Sequence, residues 1–420
     1  MSAAAAGHFD IAIVGGGLVG ASLAAALRGL PLSIALIEAH APDSAGQPSF
    51  DERTTALGNA SRRVFEALGL WKSLAPEAAA ITQIHVSDAG RFGFARLQAQ
   101  ELGIDALGYV VPNRVLGREL WRALDGASAI TAFMPAQLQA MRVAEDSASL
   151  EITRSGQAQT ITANLVVAAD GAHSLVRRSV GLGSTVDDYD QVAVVASLRT
   201  DLANDGIAYE RFTAAGPMAL LPLRAPGSNS WRTLVWAARP ADAQALLALP
   251  ADQFMREWQE AFGWRAGRAQ QLGQRGRYPL ALTRSEGSVA ARTVLLGNAA
   301  QSLHPVAGQG FNLGLRDAAE LAQLLHGAVA RGEKDVGSAG LLAPWAADRA
   351  RDRDGVVRFT DTLVRVFSSE HRLAAAARDA GLLLFDLLPP AKRALSRVSL
   401  GFGARASRLT RGLPLSRGAR

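Results

Sequence analysis

The stretch Asp10-Ile-Ala-Ile-Val-Gly-Gly-Gly-Leu-Val-Gly20 decides the fold. An apolar run over residues 11–14 enters a turn that carries Gly15, Gly17 and Gly20, and an Ala-rich helical pattern follows over residues 21–27. Strand, glycine turn and helix stand in the order of a dinucleotide-binding unit. Gly15 permits the tight turn, Gly17 lets backbone approach a pyrophosphate, and Gly20 lets helix and strand pack closely. A diphosphate is then held on the helix N-terminal amides. A second apolar run, residues 32–37, ends in Glu38, near the spacing of about 20 residues at which an acid meets the ribose hydroxyls of an adenosine. The expectation is an α/β, Rossmann-like chain.

Composition narrows the chemistry. With 420 residues, 49% of them apolar, the chain can bury a sizeable core in two or three structural units. It has no Cys, which removes disulfides and thiolate catalysis. Its seven His show no paired metal-ligand spacing, and no Gly-x-Ser-x-Gly elbow is present, so neither a metal site nor a serine nucleophile is expected. The first ten residues lack a positive segment followed by an apolar stretch, and no apolar run reaches about 18 residues. These features predict a cytoplasmic protein.

The net charge of +6 is uneven. Residues 391–420 hold Lys392, Arg393, Arg397, Arg405, Arg408, Arg411, Arg417 and Arg420 and no acid, which leaves the body nearly neutral. Just before them lies the apolar stretch Gly381-Leu-Leu-Leu-Phe-Asp-Leu-Leu-Pro-Pro390. That order suits docking on the inner face of an anionic membrane or on a partner protein, and equally suits a core helix followed by a solvated tail. Nucleic acid is not an expected partner, because the basic residues match no recognition motif and carry no aromatics among them beyond Phe402.

Two further segments carry a family resemblance. In Val166-Val-Ala-Ala-Asp-Gly-Ala-His-Ser-Leu-Val-Arg177, the pattern Asp170-Gly171-x-x-Ser174-x-x-Arg177 follows a strand-like run. In residues 294–314, a strand ends in Gly297-Asn298, His304-Pro305 follows, and Gly308-Gln309-Gly310-Phe311-Asn312 opens a helix running on through Leu325. Both resemble the single-component flavoprotein aromatic hydroxylases. The resemblance implies bound FAD, with NADPH or NADH and O2 as cosubstrates, and an FAD-binding fold of the aromatic hydroxylase type with an inserted β-sheet substrate domain and C-terminal helices. It sets Asp170 at the FAD pyrophosphate and Gly297-Asn298 at the ribityl chain, where the family usually has Gly-Asp. An Asn still offers an oxygen to a ribityl hydroxyl, with less charge. Gly308 and Gly310 would let backbone lie against the ring, with helix N-terminal amides aimed at the flavin pyrimidine.

The run from Gly297 to Asp317 is most similar to the ubiquinone-biosynthesis branch of that family, in particular to hydroxylases of 2-polyprenyl-6-methoxyphenol. Residues 51–57, 81–88, 209–213 and 216–222 match the same branch. The resemblance implies oxygen transfer from a flavin C4a-hydroperoxide to a polyprenylated phenol, para to its hydroxyl, with ubiquinone-biosynthesis proteins as partners. His304 and Pro305 are the catalytic candidates beside the ring, His304 as a proton relay or as a structural histidine. Arg53 corresponds to a residue near the flavin edge and Arg118 to an arginine that reaches the FAD phosphates, although either could be a surface cation. A halogenase would need a lysine near the flavin, and Lys72, Lys334 and Lys392 all fall outside the three motifs. A flavin-bound, non-catalytic subunit is the other alternative.

Between the motifs the pattern alternates. Residues 1–80, 105–180 and 270–340 read as the FAD-binding domain, 81–104 and 181–269 as the substrate sheet, 341–390 as a helical segment and 391–420 as a basic tail. Over residues 250–264 an amphipathic helix carries Phe254, Trp258, Phe262 and Trp264. These aromatics suit core packing, or the lining of a prenyl channel.

Overall fold

Apolar runs without polar interruption make strands buried on both faces, which is what a parallel sheet needs. In the computed structural model, Ala5–Val14 lies at the centre of such a sheet, parallel to Ile34–Ile37 on one side and to Gln157–Ala168 on the other. Ile130–Phe133 extends it beyond Ile34–Ile37, and Thr293–Leu295 beyond Gln157–Ala168, both in parallel. The structure describes all residues except 1–4, 43, 45, 46, 48, 92, 214, 215, 304–307, 369–405 and 416–420, and no side chains of 5, 6 and 359–368.

Helices Leu18–Leu27, Asn113–Arg122 and Gln309–Ala330 cover one face of this sheet. Ile13, Leu23, Leu36, Val167 and Leu321 are fully buried in that layer. The antiparallel pair Ala136–Val143 and Ala148–Arg154 continues from Gln157–Ala168, and Met141 and Leu150 join Ala12 and Val14 in the core of the other face.

A second sheet is built on Ser184–Thr200 and Ala269–Ser285, antiparallel strands of 17 residues each. Trp231–Ala238, Gly216–Pro222, Ile207–Thr213, Gln83–Asp88 and Phe94–Gln98 follow in that order. Helices Pro240–Ala248 and Ala251–Phe262 close its outer face. Phe254, Trp258 and Phe262 pack there against Val194, Leu220 and Trp236, so three of the four aromatics are core residues. Trp264, just past the helix, is 65% exposed. A small sheet of Thr54–Gly58, Gly108–Pro112 and Ala79–Ile81 also meets the large one, where the Thr54 hydroxyl donates to that of Thr233 at 3.2 Å.

The helix Ala339–Ser368 is pinned to Gln309–Ala330 by buried charges. Arg349 bonds Asp317 at 2.6 Å and Asp352 at 2.5 Å, and Arg316 meets Asp352 at 3.2 Å. Burial works against the charge on Asp352, but Arg316 and Arg349 outweigh it and hold its pKa below the usual carboxylate range.

The C-terminal region departs from a free basic tail. Residues 406–415 return to helix Gln309–Ala330, where the Ser407 amide donates to Glu320 and the Arg408 amide to Gln323. Leu409 is 1% exposed, and the turn at Leu409–Arg411 packs on helix Asn59–Ala67. Two leucines and paired backbone amides make this stretch part of the core despite its arginines. The apolar stretch 381–390 lies outside the described residues. Among the described residues no helix is long and apolar enough to cross a membrane.

Candidate active site

The glycine turn is closed by backbone packing. A Cβ on Gly15 would collide with the Ala169 carbonyl, and Gly15 has φ +100, which favours glycine. A Cβ on Gly20 would strike the Gly15 carbonyl. Beneath the turn, buried Glu38 accepts from the Gly16 amide at 2.6 Å, the His40 amide at 2.9 Å and Gln47 Nε2 at 3.3 Å. A carboxylate has about four lone-pair sites. One therefore remains for a ligand hydroxyl. Trp121 Nε1 donates to the Gly16 carbonyl at 3.0 Å and fixes the turn from its other side.

The second motif is a rigid corner. Asp170 Oδ2 accepts from the amides of Leu175 at 2.8 Å and Val176 at 3.3 Å, at the start of helix Leu175–Ser179. Asp170 Oδ1 is buried without a partner. An orphaned acceptor calls for a donor from a bound molecule. Arg177, 6% exposed, donates to the carbonyls of Ala172 and Ala299, each at 2.8 Å, and so ties this motif to the third.

In the third segment, Thr293–Leu295 ends in a single turn, Gly297–Ala299, that buries Gly297 and leaves the Asn298 side chain exposed. Gly308, with φ +59, caps helix Gln309–Ala330. At Gly310 a Cβ would meet no atom of the described residues within 4 Å outside its own helix, which leaves open space there. Asn312 has a bracing role instead of lining the cavity: it accepts from the Gly58 amide and the Ser61 hydroxyl and donates to the Ala56 and Gly308 carbonyls. His304 and Pro305 lie outside the described residues.

Arg53 stands at the junction with the second sheet, against Tyr278 of strand Ala269–Ser285. Its Nε meets Asp51 at 2.6 Å and its guanidinium lies 4.4 Å from the Tyr278 ring centroid. The Tyr278 hydroxyl donates to Asp51 at 3.1 Å, and burial pushes its pKa above the ordinary phenol value. Arg118 is turned elsewhere. It pairs with Glu77 and Glu119, each at 2.9 Å, about half exposed and away from the cavity lining.

Gly15, Gly17, Glu38, Arg53, Asp170, Gly297, Asn298 and Gly310 line one open cavity of about 670 Å3. That size suits a cofactor or small ligand. The orphaned Asp170 oxygen, the remaining acceptor site on Glu38 and the open space at Gly310 fit FAD. Trp121, Asp51 and Tyr278 were not legible as site residues, since their partners lie far away in the chain.

Comparison with known proteins agrees. The FAD binding domain family matches residues 8–360. The chain is 38% identical over 412 residues to a ubiquinone hydroxylase, UbiL, of Rhodospirillum rubrum, with 97% of this chain and 93% of that protein aligned. It is 31% identical to the 3-demethoxyubiquinol 3-hydroxylase of Escherichia coli, covering 93% of this chain and 98% of the relative. In fold it is similar to p-nitrophenol 4-monooxygenase PnpA from Pseudomonas putida, with a TM-score of 0.79 at 16% identity over 95% of this chain and 99% of that one. Fold, cavity and relatives define an FAD-dependent aromatic monooxygenase. Within that class, the chain belongs to the ubiquinone-biosynthesis FAD monooxygenase family.

Proposed function

We propose that the protein hydroxylates 2-polyprenyl-6-methoxyphenol para to the phenol oxygen, consuming NAD(P)H and O2. The observation that carries this reading is the run from Gly297 to Asp317, which has Asn298 where relatives acting on other ring positions more often have Asp. An electron-rich phenol is activated at its para carbon, which suits an electrophilic oxygen donor.

Bound FAD would carry two electrons from NAD(P)H to O2, one oxygen atom of which goes to the ring and the other to water. The chain's own residues bind and orient. Glu38 and the glycine turn hold the adenosine end, with helix amides at the diphosphate. Asp170 offers its free oxygen to a cofactor hydroxyl, and Asn298 is exposed to accept another. Opposite, the substrate sheet presents Tyr278, with its proton held on Asp51. Arg53 is locked between that carboxylate and the ring, which places a fixed cation beside a phenol oxygen as its negative charge develops. His304 and Pro305 as the catalytic residues beside the ring, His304 relaying a proton, and assembly with other pathway proteins belong to the same proposal.

A second reading, hydroxylation at another ring position, is favoured by the full-length similarity to a 3-demethoxyubiquinol 3-hydroxylase. Mass spectrometry of quinone precursors in a strain lacking the protein decides between them. Accumulation of 2-polyprenyl-6-methoxyphenol is expected; an already para-hydroxylated quinol accumulating in its place would reassign the ring position. Substrate-dependent NAD(P)H oxidation by the purified protein excludes a non-catalytic subunit.

A further inference from the structure

One corner of the substrate sheet, on the face away from the cofactor cavity, combines exposed apolar side chains with clustered guanidinium groups. Trp264 is 65% and Leu202 52% exposed, two of four large hydrophobic residues in solvent among the described residues. They adjoin: Leu202 Cγ stands 2.8 Å from where a Cβ would sit on Gly267, whose amide bonds the Trp264 carbonyl.

The turn that presents Trp264 is built and not loose. Buried Gln259 donates to the carbonyls of Gly263 at 2.8 Å and Gly267 at 3.1 Å, and accepts from the Ala269 amide at 3.0 Å. The Arg268 amide is fixed on Asp201 at 2.7 Å. A rigid loop therefore holds a tryptophan in water, where burial of its ring offers the largest gain of any side chain.

The basic residues sit beside it. Arg265 contacts His85 Nε2 in the core of the sheet, and His85 pairs across strands with Arg96. Arg211, on the next strand, has its guanidinium 3.9 Å from the Cβ position of Gly263, next to Trp264. Its Nε is buried without a partner, and burial and Arg265 both lower its pKa. Arg268 lies over the Trp264 ring at 5.7 Å. Asp88, which pairs with Arg91, and Asp201, beside Leu202, offset part of this charge. The exposed Arg265 and Arg268 still present positive charge beside Trp264, where an anion can meet it.

We propose that this corner docks on an anionic lipid surface, Trp264 and Leu202 entering the headgroup layer while Arg265 and Arg268 take lipid phosphate. Tryptophan prefers that depth, and arginine binds phosphate through a planar fork of donors. The inference deepens the reading of a prenylated substrate, which would reside in the bilayer, and it places contact on the substrate domain and not on the C-terminal residues.

The test uses the full-length flavoprotein with vesicles of equimolar phosphatidylglycerol and phosphatidylcholine, and with phosphatidylcholine alone, read by co-sedimentation. Binding to the mixed vesicles is expected. The double change Trp264→Ser and Leu202→Ser should cut partitioning by roughly tenfold or more. Arg265→Gln and Arg268→Gln should each cut it by roughly fivefold at low salt. All variants should retain bound flavin and the parent's circular dichroism. Brominated lipid should quench a fluorescence component that disappears in Trp264→Phe. Equal partitioning of parent and variants, or no binding by the parent, overturns the proposal. Loss of binding on adding inorganic phosphate at the lipid phosphorus concentration, with added sulfate at matched ionic strength having no effect, would show a free-phosphate site and overturn it too. None of these readouts depends on turnover, so a different ring position leaves them unchanged.

Discussion

Arg177 and Ala299 join two walls of the cofactor cavity: the guanidinium of one, buried at 6% exposure, donates to the carbonyl of the other at 2.8 Å. The same side chain holds the Ala172 carbonyl. Arg177→Met should leave both oxygens short of a donor and cost about 1–3 kcal/mol for each. Arg177→Lys cannot fork to both and should recover only part. Denaturant unfolding measures the loss; a variant as stable as the parent would show that the bond carries no weight.

Glu38→Ala should weaken FAD by about 1.5 to 3 kcal/mol, the range of hydrogen bonds to a charged group. It also frees the Gly16 amide, so the glycine turn should loosen in the flavin-free protein. Flavin titration followed by fluorescence reads the first effect and amide exchange at residues 15–17 the second. Unchanged affinity would remove Glu38 from the ribose site.

Two glycine substitutions separate ligand space from protein packing. Gly310→Ala meets no atom among the described residues outside its own helix and should leave the flavin-free protein as stable or slightly more so, since alanine favours a helix, while FAD affinity falls. Gly20→Ala collides with the Gly15 carbonyl and should destabilise the protein with or without flavin. Normal FAD binding in Gly310→Ala would show that nothing lies over that residue.

Asn298→Asp should keep or modestly tighten FAD binding, because both side chains offer an accepting oxygen. Asn298→Leu should lose flavin. Equal affinity in the leucine variant, measured by equilibrium dialysis, would show that the side chain points away from the ribityl chain.

Acid should act in two steps. Burial, then Arg265 and Arg96, lower the His85 pKa to about 4 from an ordinary 6.5, so the unfolded chain takes up that proton first. Stability from neutral His85 is full above pH 6.5 and is lost as pH falls towards 4. Asp352, also lowered, gives up its contribution only below the ordinary carboxylate range. Glu320, its pKa raised by burial, gains stability on protonation and opposes the fall in the lower part of that window. Melting temperatures should fall first from pH 6.5 downward, a slope that His85→Gln removes.

The parallel core and part of the cavity lining were legible: Gly15, Gly17 and Glu38 from the order of strand, turn, helix and acid, and Asp170 and Gly310 from the family resemblance. What escaped depends on contacts between distant segments. Tyr278 meets Asp51, and Asn312 meets Gly58 and Ser61, through pairs with no local spacing. Arg118 shows the converse, for its motif position suggested a phosphate while two nearby carboxylates hold it. The return of residues 406–415 was masked by their arginines, since a few buried leucines outweigh several charges that stay in water.

That return bears on how the protein is made. The helix that begins at the cavity, Gln309–Ala330, receives Ser407 and Arg408 on Glu320 and Gln323, and its neighbour Asn59–Ala67 receives the turn that follows. The first strand is made long before residues 406–415, which finish the outer layer of its domain. Until those residues are made, a nascent chain holds this helix pair with its outer flank uncovered, an interval open to chaperones or to misassembly.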